Sequence, residues 1–307
     1  MPLVSPAPGP RPTPQPAGRR IECIAFDLDS VLYIPSEFLE TTLLVSVRAM
    51  IEVGLKTTPA RGLRKLKEIR AADPNARDHF DRLCLHFNGK FNPIVISAGI
   101  EKYWDCKIGF MTSAPGAKAV LSWLHDKYPL AVVSNGPPLK QAGKIVRLGL
   151  SHFFSRTAPG EKVQTHLFYA TAEEGRVKPY PYLWGLARGA VGYRPTRSLM
   201  VGDRFWEDMF GAKRLGMITV KITQGAHAQE DPDEALERGL RSRKAKAYFL
   251  RHHSLEEIRG LMSPDYTISS IGKLQEVVQR VEGALGSHTS RGKGREKPGV
   301  SFRLISR

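Results

Sequence analysis

The feature that most constrains this chain is a set of short apolar runs: "IECIAF", "LAVVSN", "SLMVGD", "MITVKI" and, more weakly, "PDYTIS". Each stops at a polar or glycine-bearing turn. Their length and their Val and Ile content suit strands covered on both faces rather than helices. Amphipathic stretches separate them. "GAKAVLSWLHDKY" sets Ala119, Val120, Trp123 and Leu124 on one face, and "LKQAGKIVRLGL" does the same with Leu139, Ile145 and Leu148. This alternation predicts an α/β fold, a parallel sheet with helices on both sides. Ligands of such sheets sit at the carboxyl ends of the strands, and Asp27, Ser134 and Asp203 all fall there.

Between the first run and the second, the pattern is helical only. Ser36 is expected to cap a helix carrying Leu39, Leu43, Val47, Met50 and Ile51, closed by Gly54. Thr58 and Pro59 open another, with Leu63, Leu66 and Ile69 inward and Pro74 beyond its end. Further helical pieces are expected around "RDHFDRLCLHF" and "SAGIEKYWDCKI". An all-helical insertion over 33–112 is large enough to be a small domain and would sit over the strand ends as a lid. The expected division is a disordered Pro-rich leader (1–20), a core (21–32 and 113–285), the helical cap (33–112) and a basic disordered tail (286–307).

Composition narrows the function. With 41% hydrophobic residues the chain can bury a proper core, and no apolar run approaches membrane-spanning length. The first residues lack the apolar core of a signal peptide. Cys23, Cys84 and Cys106 show neither metal-ligand nor disulfide spacing, so a reducing cytoplasm is the expected location. The net charge of +16 gathers partly in the tail and partly between Glu237 and His253. A nucleic-acid surface is one reading of that charge. A solvated tail and a charged surface helix are favoured, because no nucleic-acid motif or aromatic platform accompanies it. A basic protein also attracts small anionic substrates.

Four polar clusters carry the chemistry. They are Asp27-Leu28-Asp29-Ser30-Val31 after the first strand, Ser134-Asn135-Gly136 after the second, Lys178-Pro179, and Gly202-Asp203 with Asp208 beyond it. Asp27 and Asp29 lie so close that their charges raise one another's pKa unless a cation compensates. Any one cluster is a common loop sequence; four in this order, three directly after apolar strands, are hard to reconcile with chance.

The order DxDxV, SNG, KP, GDxxxxD resembles the haloacid dehalogenase superfamily, in its phosphatase branch with a helical cap after the first strand. The resemblance runs from Ile21 to Val278. It is closer still to archaeal-type magnesium-dependent phosphatases of that superfamily, through "NARDHFDRLCLHF", "FNPIVISAGIEKYWDCKIGF" and "MVGDRFWEDMFGAKRLGM". The resemblance implies a Rossmann-like core and a Mg²⁺-dependent phosphomonoester hydrolase acting on a small phosphorylated metabolite. Asp27 would attack phosphorus and form an aspartyl-phosphate. Asp29 would protonate the leaving alkoxide and then deprotonate the attacking water. Ser134 and the Asn135 amide would hold phosphoryl oxygens, with Lys178 adding positive charge to them and to Asp27. Asp27, Asp203 and Asp208 form a hard-oxygen donor set suited to Mg²⁺, and the resemblance adds the backbone carbonyl of Asp29. The triose and sugar phosphates and nucleoside monophosphates are the expected substrate class.

Some features depart from the family pattern. Ser30-Val31 stands where a Thr or Asp-Thr is usual. The stretches Ser155–Val177 and Gly225–Ser263 look longer than usual and would reshape the entrance. The alternatives are a polynucleotide end phosphatase, a metal-independent dehalogenase (against which Asp29 counts) and a silent domain binding an acidic partner. A homodimer is left open. In the cap, His79, Phe80 and Asp81 are candidate substrate contacts, but the spacing favours Phe80 and Leu83 as core residues with His79 exposed.

Overall fold

A computed structural model describes residues 21–289, apart from 74–75, 77, 157–163, 171–172 and 174. The leader, the end of the tail and the position of Pro74 therefore lie outside the described residues.

Six strands make the main sheet: β1 (Cys23–Phe26), β2 (Leu130–Asn135), β5 (Leu167–Ala170), β6 (Ser198–Gly202), β7 (Ile218–Ile222) and β8 (Tyr266–Ile268). They run in the order β5-β2-β1-β6-β7-β8, and every pair is parallel. A short antiparallel pair, β3 (Ser155–Arg156) and β4 (Gln164–Thr165), stands beside the sheet. Strands β1 and β6 are buried throughout, so no polar face is available along them, which is why they read as continuous apolar runs.

Helices cover both faces. On one side Phe26, Val132 and Val201 pack with helix residues Val120, Leu121, Leu124 and Ile145, and with Val277 and Val278. On the other, Ala25, Val133 and Met200 pack against Leu183, Trp184 and Ala187. Helices α5 (Ala117–His125) and α6 (Pro138–Arg147) lie on the first face, α7 (Tyr182–Val191) on the second. Two details differ from the sequence reading. Ala119 is exposed, and α5 buries Ala117, Val120, Leu121 and Leu124 instead. Leu139 is 91% exposed, because the inward face of α6 is set by Gln141, Lys144, Ile145 and Leu148, two of them polar.

Among the described residues the insertion after β1 forms four helices: α1 (Ser36–Glu52), α2 (Pro59–Ala72), α3 (His79–Asn88) and α4 (Pro93–Phe110). They enclose a separate apolar cluster that includes Leu43, Val47, Met50, Leu66, Phe80, Leu83 and Val95. A Cβ on Gly99 would lie 2.7 Å from Met50 Sδ and 2.9 Å from Phe80, so glycine is what lets α4 approach α1. Thr58 caps α2 by accepting from the Arg61 amide, as expected. Ser36 does not cap α1: it is the first helical residue, and Pro35 holds the N-cap position. The Ala114 amide donates to the Leu32 carbonyl at 2.9 Å, joining the two ends of the insertion at its base.

The short α8 (Gly211–Lys213) precedes β7, and beyond β7 the chain adds α9 (Pro232–Gly239), α10 (Arg243–Leu250) and α11 (Leu255–Met262). The basic segment is a surface helix: Arg243, Lys244 and Lys246 face solvent while Ala245 and Phe249 turn inward. The last helix, α12 (Leu274–Thr289), continues past the expected core boundary at Leu285. Among the described residues no helix is long and apolar enough to cross a membrane.

Candidate active site

The ends of β1, β2 and β6 converge on one cleft, lined by Asp27, Asp29, Ser30, Ser134, Asn135, Lys178 and Asp203, with Arg204, Glu207 and His227 beside them. Asp27 is the first residue after β1, and its amide donates to the Val201 carbonyl at 2.9 Å, tying it to the end of β6. Ser30 has φ 62°, in the left-handed region that a side chain rarely adopts. The turn is braced by Gln224, whose amide nitrogen donates to the carbonyls of Ser30 and Val31 at 3.1 and 2.9 Å.

Lys178 is the electrostatic centre. Its ammonium donates to Asp27 Oδ1 at 2.7 Å and to Asp208 Oδ1 at 2.5 Å, with all three residues buried. Burial alone would lower its pKa; the carboxylates of Asp208 and Asp27 override that and raise it. Asn135 fixes the lysine's backbone, accepting from its amide at 2.8 Å and donating to its carbonyl at 3.3 Å.

Asp27, Asp203 and Asp208 each offer an oxygen within 4.8 Å of the others. Gly202 makes this possible, since a Cβ there would lie 2.4 Å from Asp208 Cβ. A π-helical turn, Phe205–Phe210, carries Asp208 back toward the strand end. Asp208 has both oxygens engaged, Oδ2 accepting from the Arg204 amide at 3.2 Å. Asp203 Oδ2 is buried without a partner. Burial, with repulsion from Asp27 and Asp208, pushes the Asp203 carboxyl up to about 8. Burial and the neighbouring Asp208 and Asp29 charges likewise raise Asp27 despite Lys178.

Asp29 stands apart from that trio. Lys144 donates to both its oxygens, at 2.6 and 2.7 Å, while Gln141 donates to Oδ2 at 3.3 Å and the Tyr33 hydroxyl to Oδ1. Burial would raise its pKa, but Lys144 and these hydrogen bonds hold it below the usual carboxylate range. Gln141 also donates to Ser134 Oγ at 2.9 Å. The clusters read from sequence thus meet in one place, and Lys144, Gln141, Arg204 and His227 join them unannounced. The cap candidates do not. His79 is buried, contrary to expectation, with its ring nitrogen 2.6 Å from the Asp73 carbonyl, so it joins the start of α3 to the end of α2. Phe80 is a core residue, as its spacing implies.

A family model for haloacid dehalogenase-like hydrolases matches residues 21–216. The chain belongs to that family. A glyceraldehyde 3-phosphate phosphatase of Pyrococcus furiosus is 31% identical over 268 residues, covering 87% of this chain and 96% of the relative. One of Methanocaldococcus jannaschii is 33% identical over 218 residues, covering 70% and 90%. Among solved structures, a phosphatase of the same haloacid dehalogenase type from Thermococcus onnurineus superposes with a TM-score of 0.52 at 17% identity, covering 84% of this chain and 98% of that one. This haloacid dehalogenase-like hydrolase is therefore a phosphatase by its relatives, and its parallel sheet is the fold of its structural neighbours. The buried acidic trio is a feature of its own sheet ends.

Proposed function

We propose that the chain hydrolyses a small phosphomonoester by a covalent route with Asp27 as nucleophile and Mg²⁺ held by Asp27 and Asp203. The observation that carries this is Lys178 on Asp27 at 2.7 Å, in the same cleft as Ser134 and the unpartnered Asp203 oxygen. Asp27 is fixed at the strand end, and its Oδ2 is free of Lys178. Attack on phosphorus forms the O–P bond of an aspartyl-phosphate, a mixed anhydride, and breaks the bond to the leaving oxygen; water then attacks the phosphorus, breaks the Asp27 O–P bond and releases phosphate. Lys178 balances the charge of Asp27 and of the phosphoryl oxygens, and the Ser134 hydroxyl with the Asn135 amide holds those oxygens in place.

Asp29 serves proton transfer. With Lys144 on both oxygens it is ionised in this conformation, the form that takes a proton from the water attacking the phospho-enzyme. Giving a proton to the leaving alkoxide requires the carboxyl to part from Lys144 and take up a proton from solvent beforehand; the attacking water later returns one to it. The trio fits Mg²⁺ in donor type and in leaving Asp203 Oδ2 unsatisfied; Asp27 and Asp203 would bind it directly, with Asp208 holding Lys178 beside it. The ion supplies positive charge next to the transferring group. Glyceraldehyde 3-phosphate, for which the relatives are named, sets the substrate size. Asp27→Asn tests the scheme: turnover should vanish while the fold persists, and activity within tenfold of wild type would remove Asp27 from the role.

A further inference from the structure

The cap meets the core over an unbalanced group of cations that the chemistry above does not use. Lys107, on α4, is 8% exposed. Among the described residues its ammonium has no carboxylate or carbonyl partner. It rests instead near the rings of Tyr103 and Trp104, 5.4 and 5.1 Å from their centroids. The residue continues the buried face of Ile96 and Tyr103, so it points inward rather than snorkelling to solvent. Burial, then the charge of Lys144, pushes its pKa down to about 8, with Arg147 and Arg70 adding to the repulsion. Lys140, an exposed residue of α6, is also lowered, by partial burial of its ammonium and by Lys144 and Lys107. Arg147 of α6 lies 5.5 Å from the Trp104 ring, so the cap and core cations share one aromatic wall. Asp29 is the acidic group within reach of both Lys107 and Lys140, and Lys144 already occupies both its oxygens.

A buried ammonium with no anion is unfavourable unless an anion arrives. We propose that Lys107, with Lys140 and Arg147, forms a subsite for a second anionic group of the substrate, so that this enzyme prefers phosphomonoesters carrying a carboxylate or a second phosphate. The inference rests on the phosphatase reading and names the substrate class of that site. The transferred phosphate lies against Asp27, Ser134 and Lys178. Asp29 lines the same cleft, and its charge and that of its partner Lys144 act on Lys107 and Lys140, so the cation group adjoins the cleft on the Asp29 side and would meet the far end of a short substrate. A neutral tail would leave Lys107 unpaired, whereas an acidic one would give it a charge-assisted hydrogen bond.

The test uses the full chain with Mg²⁺ and matched pairs. Glyceraldehyde 3-phosphate and 3-phosphoglycerate share a carbon skeleton and differ by aldehyde against carboxylate. Propane-1,3-diol monophosphate and bisphosphate differ by the second phosphate. Wild type should favour the anionic member of at least one pair in kcat/KM by about tenfold or more, as sites with buried polar groups discriminate against analogues lacking the partner. Preference for the acid assigns the subsite to carboxylates, and preference for the bisphosphate assigns it to phosphates. Lys107→Met should bring the ratio near unity, and Lys107→Arg should restore most of it. Arg147→Met, an exposed position, should lower the same ratio without disturbing the fold. Hydrolysis of p-nitrophenyl phosphate with no preference in either pair, or a ratio unmoved by Lys107→Met, overturns the subsite and leaves the phosphatase reading standing. Failure to hydrolyse any phosphomonoester overturns both.

Discussion

Replacing Asp203 by Asn should stabilise the metal-free protein, a result opposite to that of most buried substitutions. Asp203 is 1% exposed, has an unpartnered oxygen, and faces Asp27 and Asp208. Its carboxyl is raised from 3.8 to about 8. A tenfold change in proton affinity corresponds to about 1.4 kcal/mol, so at pH 7, where the folded carboxyl is mostly protonated and the unfolded one ionised, burying this group costs at most about 4 kcal/mol. Three carboxylates share that repulsion, and the Asn amide must itself find partners, so the expected gain is about 1–3 kcal/mol. In a chain of this size that corresponds to a rise in Tm of roughly 2–5 °C. The sign follows from proton binding. Between the ordinary carboxylate range and about 8 the folded state holds the extra proton, so wild-type stability falls as pH rises through this window. The advantage of Asp203→Asn should therefore widen from pH 5 to pH 8 and then level off. Thermal melts followed by circular dichroism in EDTA measure it. Adding Mg²⁺ should raise wild type and reverse the order, since binding to the folded state alone stabilises it. A variant that melts below wild type in EDTA at pH 7, or a gap indifferent to pH, would refute the electrostatic reasoning.

Two further outcomes follow from the same geometry. Lys178→Met removes the cation between Asp27 and Asp208; it should abolish turnover and, in EDTA, lower stability by about 3–5 kcal/mol in chemical denaturation, whereas a stability unchanged from wild type would mean that the pair is not buried and charged as described. His79→Ala should lower stability by about 1 kcal/mol through the lost contact with the Asp73 carbonyl, and a substrate panel should keep its ranking; a reordered ranking would return His79 to the substrate site.

The strands at the centre of the sheet are legible in the sequence because burial on both faces leaves no choice but apolar residues: β1, β6 and β7 correspond to "IECIAF", "SLMVGD" and "MITVKI". Strand β5 is not. It lies at the sheet edge, its Leu167, Phe168 and Tyr169 only half-buried, and it hides inside the stretch read as an insertion before Lys178. Three of the four clusters brought into the cleft are legible from their place directly after strands, and Lys178 from its order among them. Lys144 and Gln141 escape that reading, although their spacing carries a signal. With Ile145 and Leu148 they occupy one helical stripe, so two polar side chains stand at core positions of α6. Counting Leu139 as apolar and inward obscures that stripe. Lys107 carries the same signal, continuing the inward face of α4 four residues after Tyr103. The burial of His79 is hidden from periodicity because, at the start of a helix, burial depends on the neighbouring turn, which the repeat within α3 does not describe.

In the proposed reaction Asp27 attacks phosphorus beside a metal held by Asp27 and Asp203. Phosphate release from glyceraldehyde 3-phosphate and 3-phosphoglycerate, measured across a Mg²⁺ titration and again in EDTA, tests it most directly. Saturable activation by Mg²⁺ is expected, with a loss in EDTA of about a hundredfold or more, because the raised carboxylates then lack their cation and the phosphoryl group lacks its charge partner. Undiminished hydrolysis in EDTA would contradict it.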